Sequence, residues 1–230
     1  MKAALKLPET ETAVTELLVR LRAQVAKAEA RIRQRPFAVH PSLLPVLGES
    51  GLKPGAAYVL ETSGSLLHAL LAEPSQEGHW CGVVGLPTFA AEAAQLAGVR
   101  LDRLVLVPEP AEQWLAATAA LAEVVPVLAV RPFGRVRESD AARLMSRLRD
   151  RGSVLLVVGD WPRAEARFTL TEPRWHGLGN GHGRLAGREL QVGVISRRYP
   201  AGRSARLVLP SSNGRIAAVE SAAPQLRVAG

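Results

Sequence analysis

The feature that most constrains this chain is an alternation, between residues 57 and 158, of short wholly apolar runs with helix-forming segments. Residues 57–60, 79–84, 104–107, 126–130 and 154–158 read as strands, and 65–72, 89–98, 111–123 and 139–151 as helices. A strand that is apolar at nearly every position has no solvent face. It must lie in a sheet covered on both sides, and strands separated by helices run parallel. After residue 166 the pattern changes to short runs at 167–170, 190–196 and 205–209 around a Gly-rich stretch, 177–187. These read as antiparallel edge strands joined by a loop.

Composition narrows the class. Of 230 residues, 47% are hydrophobic and only 4% aromatic, so the core is built from Leu, Val and Ala. A mean hydropathy of +0.07 suits a globular chain. No apolar run reaches the ~18 residues of a membrane span, and the N-terminus turns polar too soon for a signal peptide. A single cysteine, Cys81, excludes an internal disulfide framework and suits a reducing cytoplasm. The net charge is +8 and the lysines are only four, so the basicity is carried by Arg. Between residues 151 and 215 eleven Arg face four acids (Asp160, Glu165, Glu172 and Glu189). That balance admits an acidic protein partner or nucleic acid, and also plain solubility.

Ahead of the core, Val14, Leu17, Leu18, Leu21, Val25, Ala28 and Ile32 recur at helical spacing over 11–33 and form one apolar stripe. Pro36 ends this segment. The stripe packs on its own domain or, as an arm, docks on another subunit. For the second reading the contact residues are Leu17, Leu18, Leu21 and Val25.

The turn after the first strand carries the chemical argument. Tyr58 to Leu71 read YVLETSGSLLHALL, a strand, a Glu-Thr-Ser-Gly turn and a helix. This is the layout of a phosphate-binding loop, where backbone N–H groups and a helix N-terminus cradle an anion. Such a loop continues with Lys and then Ser or Thr after its last glycine. Here Gly64 is followed by Ser65 and Leu66. The cation for the β/γ-phosphates and the hydroxyl for Mg²⁺ are both missing.

The order of elements resembles the RecA ATPase core over about residues 10–215. It rests on YVLETSGSLLHAL, on VRLDRLVLVPEPAEQWLAATAALAEV, and on PVLAVRPFGRV, SVLLVVGDW and ELQVGVISRR in that sequence. The resemblance implies an α/β fold with a RecA-like core derived from the P-loop type. The sheet is mostly parallel with antiparallel edge strands. A helical arm spans 1–36, the core 37–215 and a flexible tail 216–230. Residue by residue, the nucleotide machinery is degenerate. Glu61, Thr62, Ser63 and Gly64 form the turn, and Ser65 and Leu66 stand for Lys and Thr. Leu86 is nearest the expected catalytic acid, Arg131 replaces the Mg²⁺-linked Asp, and Asp160 falls at the amide switch. Phosphoryl transfer needs these groups, so no ATP hydrolysis, no cofactor and no enzymatic activity are expected.

Within RecA-like proteins the chain resembles the short actinobacterial ImuA type, through its degenerate loop, RWHGLGNGHGRLAGRELQV and its length. That resemblance implies a cytoplasmic accessory protein, nucleoid-associated in one version, of the DNA-damage-induced mutasome. The implied partners are a catalytically inactive Y-family polymerase-like protein and an error-prone C-family polymerase, with RecA and DNA as further candidates and no membrane. Two alternatives stand beside it: a single-stranded DNA-binding module of DNA repair, and a residual nucleotide-binding protein. Arg174, Arg184, Arg188, Arg197 and Arg198 are the candidate DNA contacts. His176, His182 and Cys81 match no structural zinc spacing, so no metal site is expected. Ser63 and Ser65 lack the surroundings of a nucleophile elbow.

Overall fold

The computed structural model describes residues 19–20, 35–48, 51–179 and 182–219. The chain divides into two units, Met1–Arg35 and Pro36–Gly230, and the fold below is that of the second. Of the helix expected over 11–33 only Val19 and Arg20 are described, and both are helical; Leu17, Leu18, Leu21 and Val25 lie outside the described residues.

Nine strands form one sheet in the order β3-β2-β4-β5-β1-β6-β7-β8-β9. The parallel part comprises β1 (Ala57–Leu60), β2 (Cys81–Val84), β3 (Leu104–Val107), β4 (Val127–Val130), β5 (Val154–Val158) and β6 (Ala166–Gly179). β7 (His182–Ser196), β8 (Arg203–Val208) and β9 (Ala217–Ala218) continue it antiparallel. The helices are a single turn α1 (Leu44–Leu47), α2 (Ser65–Gln76), α3 (Ala91–Leu96), α4 (Trp114–Leu121) and α5 (Glu138–Arg151).

The apolar runs explain the layers. Every residue of β1, β2, β4 and β5 is buried. Alternate side chains of β1 enter different cores. Tyr58 and Leu60 join Leu66, Leu67, Leu70 and Leu71 of α2, while Ala57 and Val59 join Trp114, Leu144 and Leu148 of α4 and α5. Each fully buried Leu contributes about 1.5–3 kcal/mol relative to exposure. α5 carries Glu138 and Asp140 in its first turn and Arg149 and Arg151 in its last, matching the helix dipole, and stops at left-handed Gly152 (φ 69°).

Several expected boundaries move. β2 starts at Cys81, not 79, and α3 is shorter than 89–98. The segment expected as helix from 111 opens as a 3₁₀ turn, Ala111–Gln113, before α4. The larger correction concerns 177–187, expected as a loop. Most of it is strand, so β6 and β7 form one long hairpin with register shifts after Thr171 and His176. Backbone pairing across the hairpin accounts for it, because glycine removes side chains but leaves every ladder donor and acceptor. The first residues of the expected tail belong to the sheet domain: Ile216 is buried and Ala217–Ala218 pair with β8; residues 220–230 lie outside the described residues.

Candidate functional site at the 63–65 turn

β1 lies inside the sheet, between β5 and β6. The crossover after β1 leads to β2 on one side of it, while β6 lies on the other. Ligand sites of open α/β sheets lie where the connections part in this way, at the carboxyl ends of the strands. The chain leaves β1 there through Glu61 and Thr62, both exposed, and turns through Ser63 and Gly64 into α2. Gly64 caps α2 without a side-chain hydrogen bond. The first turn therefore presents free backbone donors and the positive end of the helix dipole.

Two guanidinium groups converge on this turn from distant strands. Arg131, which follows β4, donates from Nη2 to Ser63 Oγ at 3.3 Å. Arg188, on β7, donates from Nη2 to Ser65 Oγ at 2.9 Å and from Nε to the Leu209 carbonyl at 3.0 Å. Ser65 Oγ in turn donates to the same carbonyl at 3.4 Å. The Arg188 guanidinium also lies over the Trp175 ring, 5.4 Å from its centroid. Burial pushes Arg188 below the usual guanidinium range; it stays charged at neutral pH.

The remaining expected positions are placed differently. Leu66 and Leu86 are core residues, 1% and 2% exposed, and cannot reach a ligand. Asp160 follows β5 with its side chain in solvent, and accepts from Arg167 Nη2 at 3.3 Å. A cleft of about 540 Å³ opens beside it, lined by Gly134, Arg135, Trp161 and Arg167 among others. The turn thus holds cations and donors, but no carboxylate or base directed at it in these contacts. That arrangement can attract an anion.

The candidate DNA contacts separate into two places. Arg174 and Arg188 lie on the paired strands of the β6–β7 hairpin, opposite Glu189 and Trp175 respectively. The backbone of Arg184 belongs to β7. Arg197 and Arg198 lie past the other end of β7, where Arg198 and Arg203 both stack on Tyr199. Nine residues of extended chain between Arg188 and Arg197 correspond to about 30 Å. The Arg188–Ser65 contact was not legible in the sequence, being 123 residues apart; Trp175, its stacking partner, carried no signal either.

Cys81 is buried, donates to the Leu71 carbonyl at 3.8 Å, and is pushed up to about 12 by desolvation, which makes it an inert core thiol. Among the described residues no cluster of three or more His, Cys, Asp or Glu has the arrangement of a metal site. No helix among them is long and apolar enough to cross a membrane.

The MT3502 N-terminal domain family matches residues 45–163, from α1 to just past Trp161. The chain belongs to this family. The matched stretch holds strands β1–β5 and the 63–65 turn, and ends before β6. The matched span of this chain also includes Arg131 and Asp160, whereas Arg188 and the hairpin lie beyond it. The chain is similar, at 30% identity over 186 residues, to the uncharacterized protein Rv3395c of Mycobacterium tuberculosis. The match covers 77% of this chain and 90% of that protein.

Proposed function

We propose that this chain is a non-catalytic, RecA-like accessory protein of DNA-damage-induced translesion synthesis that acts through protein partners. The observation that carries the reading is the 63–65 turn. Its frame is that of a phosphate loop, with an internal strand, a Ser-Gly turn and a twelve-residue helix behind it. By the resemblance to the RecA core, Ser65, Leu66, Leu86 and Arg131 stand where the catalytic groups would be. A frame kept without its reaction is useful for its surfaces.

One surface suits a protein partner. β3 ends the sheet, is only partly buried along its length, and leaves one row of backbone groups without a neighbouring strand. Leu106 on it is 40% exposed, and Trp80 and Leu101 are exposed as well. Open apolar edges are where further chains add. The partner this reading implies is the inactive Y-family polymerase-like protein of the mutasome, with the error-prone polymerase joined directly or through it.

The test is affinity purification of the tagged chain from cells treated with a DNA-damaging agent, with the bound proteins identified. An error-prone polymerase system in the eluate supports the proposal, and its absence overturns it. Leu106→Glu should lose the partner at unchanged fold, and Leu18→Glu with Leu21→Glu tests the arm in the same assay. Retention of the partner by both variants would place the contact on neither surface.

A further inference from the structure

The β6–β7 hairpin has a feature that a protein-partner role leaves unused. Beyond the pair His176↔Gly187 the two strands have no third neighbour among the described residues: β1 pairs with β6 only up to Phe168, β8 pairs with β7 only from Glu189 onward, and the last backbone bonds to β7 on that side join Arg188 to Leu209 and Pro210. The ribbon continues alone to the pair Gly179↔His182, about 10 Å of extended chain. Residues 172–177 are all exposed, as are Gly183, Leu185 and Ala186.

Its charge is one-sided. From 173 to 188 the sequence holds Arg174, His176, His182, Arg184 and Arg188 and no acid. The acids at its foot are already engaged: Arg206 binds both Glu172 and Glu189, and His176 Nε2 lies 3.5 Å from Glu189. Arg174 makes no ion pair among the described residues. Trp175 is 53% exposed at the root of the ribbon, with the Arg188 guanidinium against its ring. An exposed indole backed on one face by a guanidinium, with the unpaired Arg174 beside it in sequence, is a stacking platform for a base with a phosphate contact alongside. Glycine at 177, 179, 181 and 183 keeps the rest of the ribbon slim enough for a backbone to pass close by.

We propose that this ribbon binds single-stranded nucleic acid, Trp175 stacking on a base and Arg174 meeting the phosphates. An acidic protein would use the charge but has no need of the indole. A duplex would offer phosphates but no free base face to Trp175.

The experiment uses the full chain and a fluorescein-labelled oligothymidylate of about twenty nucleotides, a length that covers the usual single-strand sites. Anisotropy is followed between about 50 and 200 mM salt. Binding should weaken steeply with salt. Trp175→Ala should reduce affinity about tenfold or more, and should remove the quenching of tryptophan emission by the oligonucleotide. Arg174→Ala should lower the log–log salt slope by about one. A chain with residues 174–187 shortened to an Asn-Gly turn should lose the binding, its melting curve serving as control for folding. No binding at low salt, or full affinity in both Trp175→Ala and the shortened chain, overturns the proposal. So does equal competition by duplex or by polyglutamate. Loss of oligonucleotide binding leaves partner capture untouched, so the two readings fail separately.

Discussion

His68 lies on α2, one turn after Ser65, edge-on to Phe89 with ring centroids 5.0 Å apart. It is 5% exposed, and its Nε2 has no hydrogen-bond partner among the described residues. Desolvation holds the imidazole below its ordinary value. The sign of the effect follows. An unfolded histidine takes up its proton near 6.5, whereas the folded one does so only at lower pH. Folding is therefore fully supported above about pH 6.5, and stability declines as pH falls below that point toward the folded value. His68→Leu should flatten this dependence. Urea midpoints measured at pH 7.5 and pH 5.5 should converge in the variant; an unchanged difference would assign the pH response to other groups. The same residue marks a limit of sequence reading. YVLETSGSLLHALL displays His68 on an apolar helix, but only the packing of Phe89 against it makes the site dry.

Among the elements, the ends of β2, β3 and β4 are held in register by one residue. Gly85 donates to the Val107 carbonyl at 2.9 Å, and Arg131 donates to the Val84 carbonyl at 2.9 Å. Gly85 has φ +73°, and a Cβ there would lie 2.5 Å from the Arg131 carbonyl oxygen. Both terms oppose any side chain. Gly85→Ala should cost about 1–3 kcal/mol, seen as a lower urea midpoint with an unchanged slope. A variant as stable as the parent would mean that the strand ends shift freely. The parallel strands were legible because burial on both faces leaves an unbroken apolar run; β1, β3 and β5 fall at the expected residues. The hairpin was not. Its glycines suggest a loop, and the pairing that makes them strand is a property of two segments that no local pattern records. Trp175 and Arg188 meet for the same reason, as opposite residues on paired strands.

At the scale of the whole molecule, the sheet joins a parallel part, matched by the family, to an antiparallel part beyond it. The first holds the 63–65 turn; of the two arginines that reach it, Arg131 follows β4 and Arg188 comes from the antiparallel part. Single-turnover mixing with radiolabelled ATP and Mg²⁺ should show no phosphate release above the protein-free rate. Release that disappears in Ser65→Glu would instead establish a working site, and with it a different function. The candidate site was half visible in sequence. Ser63, Gly64 and Ser65 announce themselves by their place after β1. The arginines that reach them, Arg131 past the end of β4 and Arg188 within β7, are brought near only by the fold.

Arg188 also gives the molecule an order of events. A ribosome finishes β1 to β5 and the 63–65 turn before it reaches residue 188, and a unit folds as a whole. Until the Arg188 guanidinium can grip Ser65 and the Leu209 carbonyl, the turn lacks its clamp. The last third of the protein thus supplies a bolt that the nascent chain does not yet have.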